Sequence, residues 1–139
     1  MSEKNPNVFV RLHDGPLPPV RCGDSCCGGA WVCFEGIVRP TEDGKPIAGL
    51  MYEAYRPMAD RQLLSLGEEL VRTHQLLGAR VEHSVGWVPA GACSFRLEVA
   101  APRRKEAFVA MEEFIDRMKR DVPIWKLTPQ DNVAGEGSR

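Results

Sequence analysis

A chain of 139 residues has room for one hydrophobic core and too few residues for two. Hydrophobic residues make up 43% and charged residues 27%, ordinary globular values that exclude wholesale disorder. Eighteen basic side chains against nineteen acidic ones leave a formal charge of −1, far from the basic balance of a nonspecific nucleic-acid binder.

The N-terminus, MSEKNPNVFVRLHDGP, lacks the apolar run behind a basic start that marks a signal peptide. No apolar stretch approaches the roughly 20 residues needed to span a bilayer. A cytoplasmic protein is expected, with no membrane or nucleic-acid partner. Five cysteines in a reducing compartment then read as thiols or metal ligands rather than as a disulfide framework.

Asn7 to Leu12 alternates weakly and is expected to be a first strand; Gly15 to Pro19 reads as a turn. Cys22 to Gly29, CGDSCCGG, is small and loop-like. Ala30 to Val38 is a strand rich in aromatic and branched residues, with Gly36 marking a bulge or close backbone approach. Thr41 to Lys45 is a turn and Ile47 to Tyr55 the next strand. Pro57 to Leu77 predicts a helix with Leu63, Leu66, Leu70 and Leu77 on one face and Gly78 as its cap. Arg80 to Val88 is a strand with Val81, His83, Val85 and Trp87 on one side. After the Pro89-Ala90-Gly91 turn, Cys93 to Ala101 alternates cleanly. Pro102 to Asp121 predicts a second helix, with Phe108, Met111, Ile115 and Met118 inward and Pro123 as its stop. The order β-β-β-α-β-β-α implies an α+β two-layer sandwich, a largely antiparallel sheet with helices packed on one face. Residues 1–139 are expected to form one domain, with 1–29 an atypical N-terminal strand and cysteine-rich loop and 129–139 a flexible tail.

Cys22, Cys26 and Cys27 offer three thiols, but CxxxCC lacks the paired spacing typical of zinc sites. Small residues in a surface loop are the favoured reading, and Cys33 and Cys93, on strands, are expected to be buried thiols. His13, His74 and His83 stand isolated. Glu112, Glu113, Asp116 and Arg117 read as ion pairs on the wet face of a helix. The cations carry more information. Arg39 closes a long strand, while Arg103, Arg104 and Lys105 crowd the start of the second helix, where positive charge opposes the macrodipole and asks for an anion. Lys119 and Lys126 follow at that helix's end and just beyond.

Several segments, in order, carry a resemblance: Phe34-Glu35-Gly36-Ile37-Val38-Arg39, Leu50-Met51-Tyr52-Glu53-Ala54-Tyr55, Ala101-Pro102-Arg103-Arg104-Lys105-Glu106-Ala107-Phe108 and Met118-Lys119-Arg120-Asp121-Val122-Pro123-Ile124-Trp125-Lys126. Over roughly residues 30 to 128 the chain resembles the large, catalytic subunit of molybdopterin synthase, the MoaE family. The resemblance implies sulfur transfer from the C-terminal thiocarboxylate of a small ubiquitin-like carrier (MoaD-like) to cyclic pyranopterin monophosphate, forming the molybdopterin dithiolene. It implies no metal or cofactor, and a homodimer within a heterotetramer. By resemblance Lys119 is the leading acid/base candidate and Lys126 assists it, while Arg39, Arg103 and Arg104 hold phosphate or pterin. Both reactants are anionic, which suits fixed positive charge.

Arg103 stands where the family usually has histidine, and arginine does not shuttle protons near neutral pH. Either that position binds an anion or activity is impaired. Two other readings follow: a noncatalytic pterin- or carrier-binding module on the same fold, and a thiol-based sulfur or metal carrier using Cys22, Cys26 and Cys27.

Overall fold

The computed structural model describes residues 7–19 and 28–127. Its elements are β1 (Val8–Asp14), β2 (Ala30–Ile37), β3 (Thr41–Glu42), β4 (Lys45–Pro46), β5 (Gly49–Ala54), α1 (Met58–His74), β6 (Gly78–Pro89), β7 (Cys93–Ala101), α2 (Arg104–Asp121) and β8 (Ile124–Leu127). Among the described residues six strands form one sheet, in the order β2-β7-β6-β5-β8 with β1 also on β6. Only β1 with β6 is parallel there. Both helices pack on one face, as the α+β reading expects. Among the described residues no helix is long and apolar enough to cross a membrane.

Strand β7 lies between β2 and β6, which pair both its edges, and Ser94 to Ala101 are buried on both faces. Phe95, Leu97, Val99 and Ala101 point to the helices and join Val81, Leu63, Leu70 and Phe114 in the main core. Burial of each such side chain stabilises the fold by about 1.5–3 kcal/mol. On the opposite face the register sets Glu82 beside Arg96. Arg96 donates from Nε to Glu35 Oε2 (2.7 Å), from Nη1 to Glu82 Oε1 (3.1 Å) and from Nη2 to the Pro18 carbonyl (2.5 Å). His13 binds the other Glu82 oxygen at 2.8 Å. This buried network ties the segment after β1 to the sheet.

Strand β6 changes neighbours midway. β1 runs beside Ala79–Val85, and β5 takes over from Gly86. Gly86 has φ +86, and a Cβ there would lie 2.8 Å from Asp14 Oδ1, so only glycine fits without strain. That break resets the alternation. Val88 is buried and Trp87 exposed, which corrects the expected side of Trp87. At Gly36 the β2–β7 register shifts, the bulge expected there.

The helices also depart from expectation. α1 ends at His74, capped by Gln75 in the left-handed region; Gly78 instead opens β6, and Leu77 is exposed and outside the helix. On α2 the buried residues are Ala107, Ala110, Met111, Phe114 and Met118, while Phe108 is 55% exposed. Two alanines let the helix approach the sheet, which rotates Phe108 outward. Arg117 does more than make a pair within α2: its guanidinium grips Glu69 of α1 at 2.9 and 3.0 Å and Glu113 at 3.1 Å. His74 binds the same Glu113 at 2.8 Å.

Candidate active site

A cavity of about 360 Å³ opens where the C-terminal half of α2 overhangs the ends of β2, β5, β7 and β8. Arg39, Lys119 and Lys126 all line it. Arg39 and Lys119 are each placed by a buried neighbour, and Lys126 by strand pairing. Val38 is 2% exposed, and its backbone bonds to Ala92 and Gly91 at 3.0 and 2.8 Å, fixing Arg39 at the rim. Met118 is buried in the core, so Lys119 follows it in the last turn of α2. Pro123 then ends the helix, and β8 turns back against β5 with Lys126 opposite Tyr52. β8 is not among the elements expected from the sequence. Its signal was Ile124-Trp125-Lys126-Leu127, alternating directly after a proline.

Lys126 Nζ sits 3.0 Å from Glu42 Oε2. Glu42 comes from the β3–β4 hairpin, whose Asp43-Gly44 turn has φ values of 53 and 79, the turn chemistry of a tight hairpin. Arg39 and Lys119 have no ion-pair partner among the described residues. Phe34, Phe95, Ile115, Met118, Ile124 and Trp125 supply apolar walls, which keep the local dielectric low and make these charges count for more.

The floor is polar and neutral. The Ser94 hydroxyl donates to the Gly36 carbonyl at 3.4 Å, which leaves Tyr52 Oη–H to donate to Ser94 Oγ at 3.1 Å. His83 lies beside them with its Nδ1–H on the Ser84 carbonyl at 2.8 Å, and burial pushes its pKa down. Tyr52, Ser94, His83 and Glu42 are not among the site residues expected from the sequence. Their convergence comes from four separate strands.

Arg103 and Arg104 lie elsewhere. Arg103 is the N-cap of α2, and its exposed side chain pairs with Glu106 at 2.9 Å. Arg104 opens the helix and is exposed. At about 1.5 Å per residue, positions 104 and 119 stand about 22 Å apart along α2. Within one chain these arginines do not reach the cavity. Burial pushes the Cys33 thiol up to about 11 and raises that of Cys93; both are half-buried rather than buried, and neither favours a thiolate at neutral pH. Cys22, Cys26 and Cys27 lie outside the described residues. Among the described residues no three potential metal ligands cluster.

The family model described as MoaE protein matches residues 20–121. The molybdopterin synthase catalytic subunit of Thermoplasma volcanium is 40% identical over 138 residues, covering 95% of this chain and 97% of that protein. That of Coccidioides immitis is 38% identical over 86% of this chain, which spans 62% of its length. Among solved structures, molybdopterin synthase from Staphylococcus aureus matches with TM-score 0.72 and 30% identity, over 84% of this chain and 89% of that one. The complex of subunits 1 and 2 of molybdopterin-converting factor from Helicobacter pylori matches with TM-score 0.69 and 26% identity, over 86% and 83%. With a family match across residues 20–121 and such identity over nearly the whole of one relative, the chain belongs to the MoaE family.

Proposed function

We propose that the protein is the catalytic subunit of a molybdopterin synthase. It transfers sulfur from the C-terminal thiocarboxylate of a small ubiquitin-like carrier to cyclic pyranopterin monophosphate, building the dithiolene. The observation that carries this reading is the convergence of Arg39, Lys119 and Lys126 on one apolar-walled cavity. A thiocarboxylate and a phosphate monoester are both anions, and fixed cations stabilise charge as it moves between them. Lys119, with no ion-pair partner, is the proton donor and acceptor at the carrier's terminus; Lys126, restrained by Glu42, holds charge beside it. Arg39 at the rim binds phosphate through its planar fork.

Arg103 and Arg104 join this site only from a second copy of the chain, because α2 sets them about 22 Å from Lys119. A homodimer in which each protomer lends the start of its α2 to the other's cavity meets that requirement, and one carrier on each protomer makes the heterotetramer. Arg103, permanently charged, serves there as an anion ligand.

The test is a product assay with thiocarboxylated carrier and cyclic pyranopterin monophosphate. Dithiolene formation is expected. Carrier binding without product would favour the noncatalytic module, a reading that Arg103 in place of the family's usual histidine supports, and Arg103→His would then be the next variant.

A further inference from the structure

His83 is buried to 6% exposure yet lines the cavity. Its Nδ1 lies 2.8 Å from the Ser84 carbonyl. A carbonyl only accepts, so Nδ1 carries the proton, and the neutral ring presents a lone pair at Nε2. Burial keeps the ring neutral. Tyr52 meets the ring edge-on, at 5.2 Å and 79°, and Phe95 packs at 5.7 Å, so the ring has one orientation. No group among the described residues binds Nε2. Among the described residues Nε2 is not one of the buried side-chain atoms left without a partner, which are Gln62 Oε1, Ser84 Oγ and Glu106 Oε1; His83 lines the cavity, so its free lone pair is one that a bound molecule can reach.

The other polar groups of the cavity narrow what that partner is. Arginine and lysine only donate hydrogen bonds. Glu42 is engaged by Lys126, and the Tyr52 and Ser94 hydroxyls donate along their own chain to the Gly36 carbonyl. The rim therefore takes the anionic end of a ligand, and the floor offers an acceptor to a flat, N–H-bearing end. We propose that His83 is a positioning residue for the heterocycle, its Nε2 accepting a hydrogen bond from a pterin N–H while the rim cations hold the phosphate. This rests on the substrate assigned under the proposed function.

Two substitutions separate acceptor from packing. His83→Phe keeps the aromatic packing and removes the acceptor; His83→Gln restores an acceptor of similar reach, and both lose the Nδ1 anchor. With saturating thiocarboxylated carrier, His83→Phe is expected to raise the KM for cyclic pyranopterin monophosphate about tenfold with kcat little changed, the signature of lost ground-state binding. His83→Gln is expected to recover most of that loss, and direct titration by tryptophan fluorescence should give the same ratios. Equal KM in folded His83→Phe and the unsubstituted protein, or equal impairment in both variants, overturns the inference alone. Failure of the unsubstituted protein to bind or convert the pterin overturns the functional reading and this inference together. One readout needs no variant: the ¹⁵N resonance of His83 Nε2 in the unsubstituted protein should move upfield when the pterin is added to saturation, and an unmoved resonance in the bound state overturns the assignment.

Discussion

Helix α2 carries positive charge at both ends, and the two ends are built differently. At the C-terminal end Lys119 follows a buried methionine, meets Arg39 and Lys126 across a cavity, and is surrounded by apolar walls. At the N-terminal end Arg103 stands in solvent, already paired with Glu106, with Arg104 exposed beside it. Charge at the first end is exposed but gathered from three elements around one partly apolar cavity, where three cations act together on an anion. Charge at the second end is screened and acts strongly only if another surface covers it. Under the proposed function the cavity would be the chemical half of the site, and the α2 N-terminus would join it only from a second chain.

The comparison is most exposed to Lys119→Ala. Losing a general acid/base costs about 10²–10⁴-fold in turnover, whereas circular dichroism and the melting temperature should be unchanged because Lys119 is exposed; normal turnover would remove it from the mechanism. Arg39→Ala should cost about 10–100-fold in kcat/KM, the loss of a charged hydrogen-bonding partner. Phe114→Ala, which empties the core beneath the helix, should destabilise the fold by about 3–5 kcal/mol in denaturant unfolding. Acid should act more gently. Since burial lowers the pKa of His83, the unfolded chain takes up a proton there before the folded one does. That contribution to stability is complete above the unfolded value of about 6.5 and is lost as pH falls below it. Melting curves from pH 8 to pH 5.5 should show the loss, and His83→Phe should lessen it. The smallest effect is expected of Arg103→Ala on stability: its pair with Glu106 is exposed, so the melting temperature should not move.

How much of this was readable in the sequence depended on the element. β7 matches its expected bounds, Cys93 to Ala101, because Phe95, Leu97 and Val99 alternate between clear breakers. The inward face of α2 was less legible: Phe108 and Ile115 outweigh Ala107 and Ala110 in any apolar pattern, yet the small residues decide how closely a helix approaches a sheet. Gly86 hides a reset that turns Trp87 out and Val88 in. Arg39, Lys119 and Lys126 stood out as cations at element ends and took their roles from a resemblance spread along the chain, and the fold brings them together. Arg103 and Arg104 stood out as cations at a helix N-terminus and took their roles from the same resemblance, but a single chain keeps them apart from the rest. Ser94 and His83 carry no local motif, and Tyr52, though inside a segment that carries the resemblance, was given no site role there; the association of the three exists only across strand pairs.

The most direct test is to mix Lys119→Ala chains with Arg104→Ala chains, allow them to exchange, and measure dithiolene formation. If each cavity takes Lys119 from one chain and Arg104 from another, half the dimers at equal mixing contain one intact site, and about a quarter of the unsubstituted rate should return. Activity no greater than the average of the two parent variants, or an Arg104→Ala protein as active as the unsubstituted one, would contradict a site built from both ends of α2.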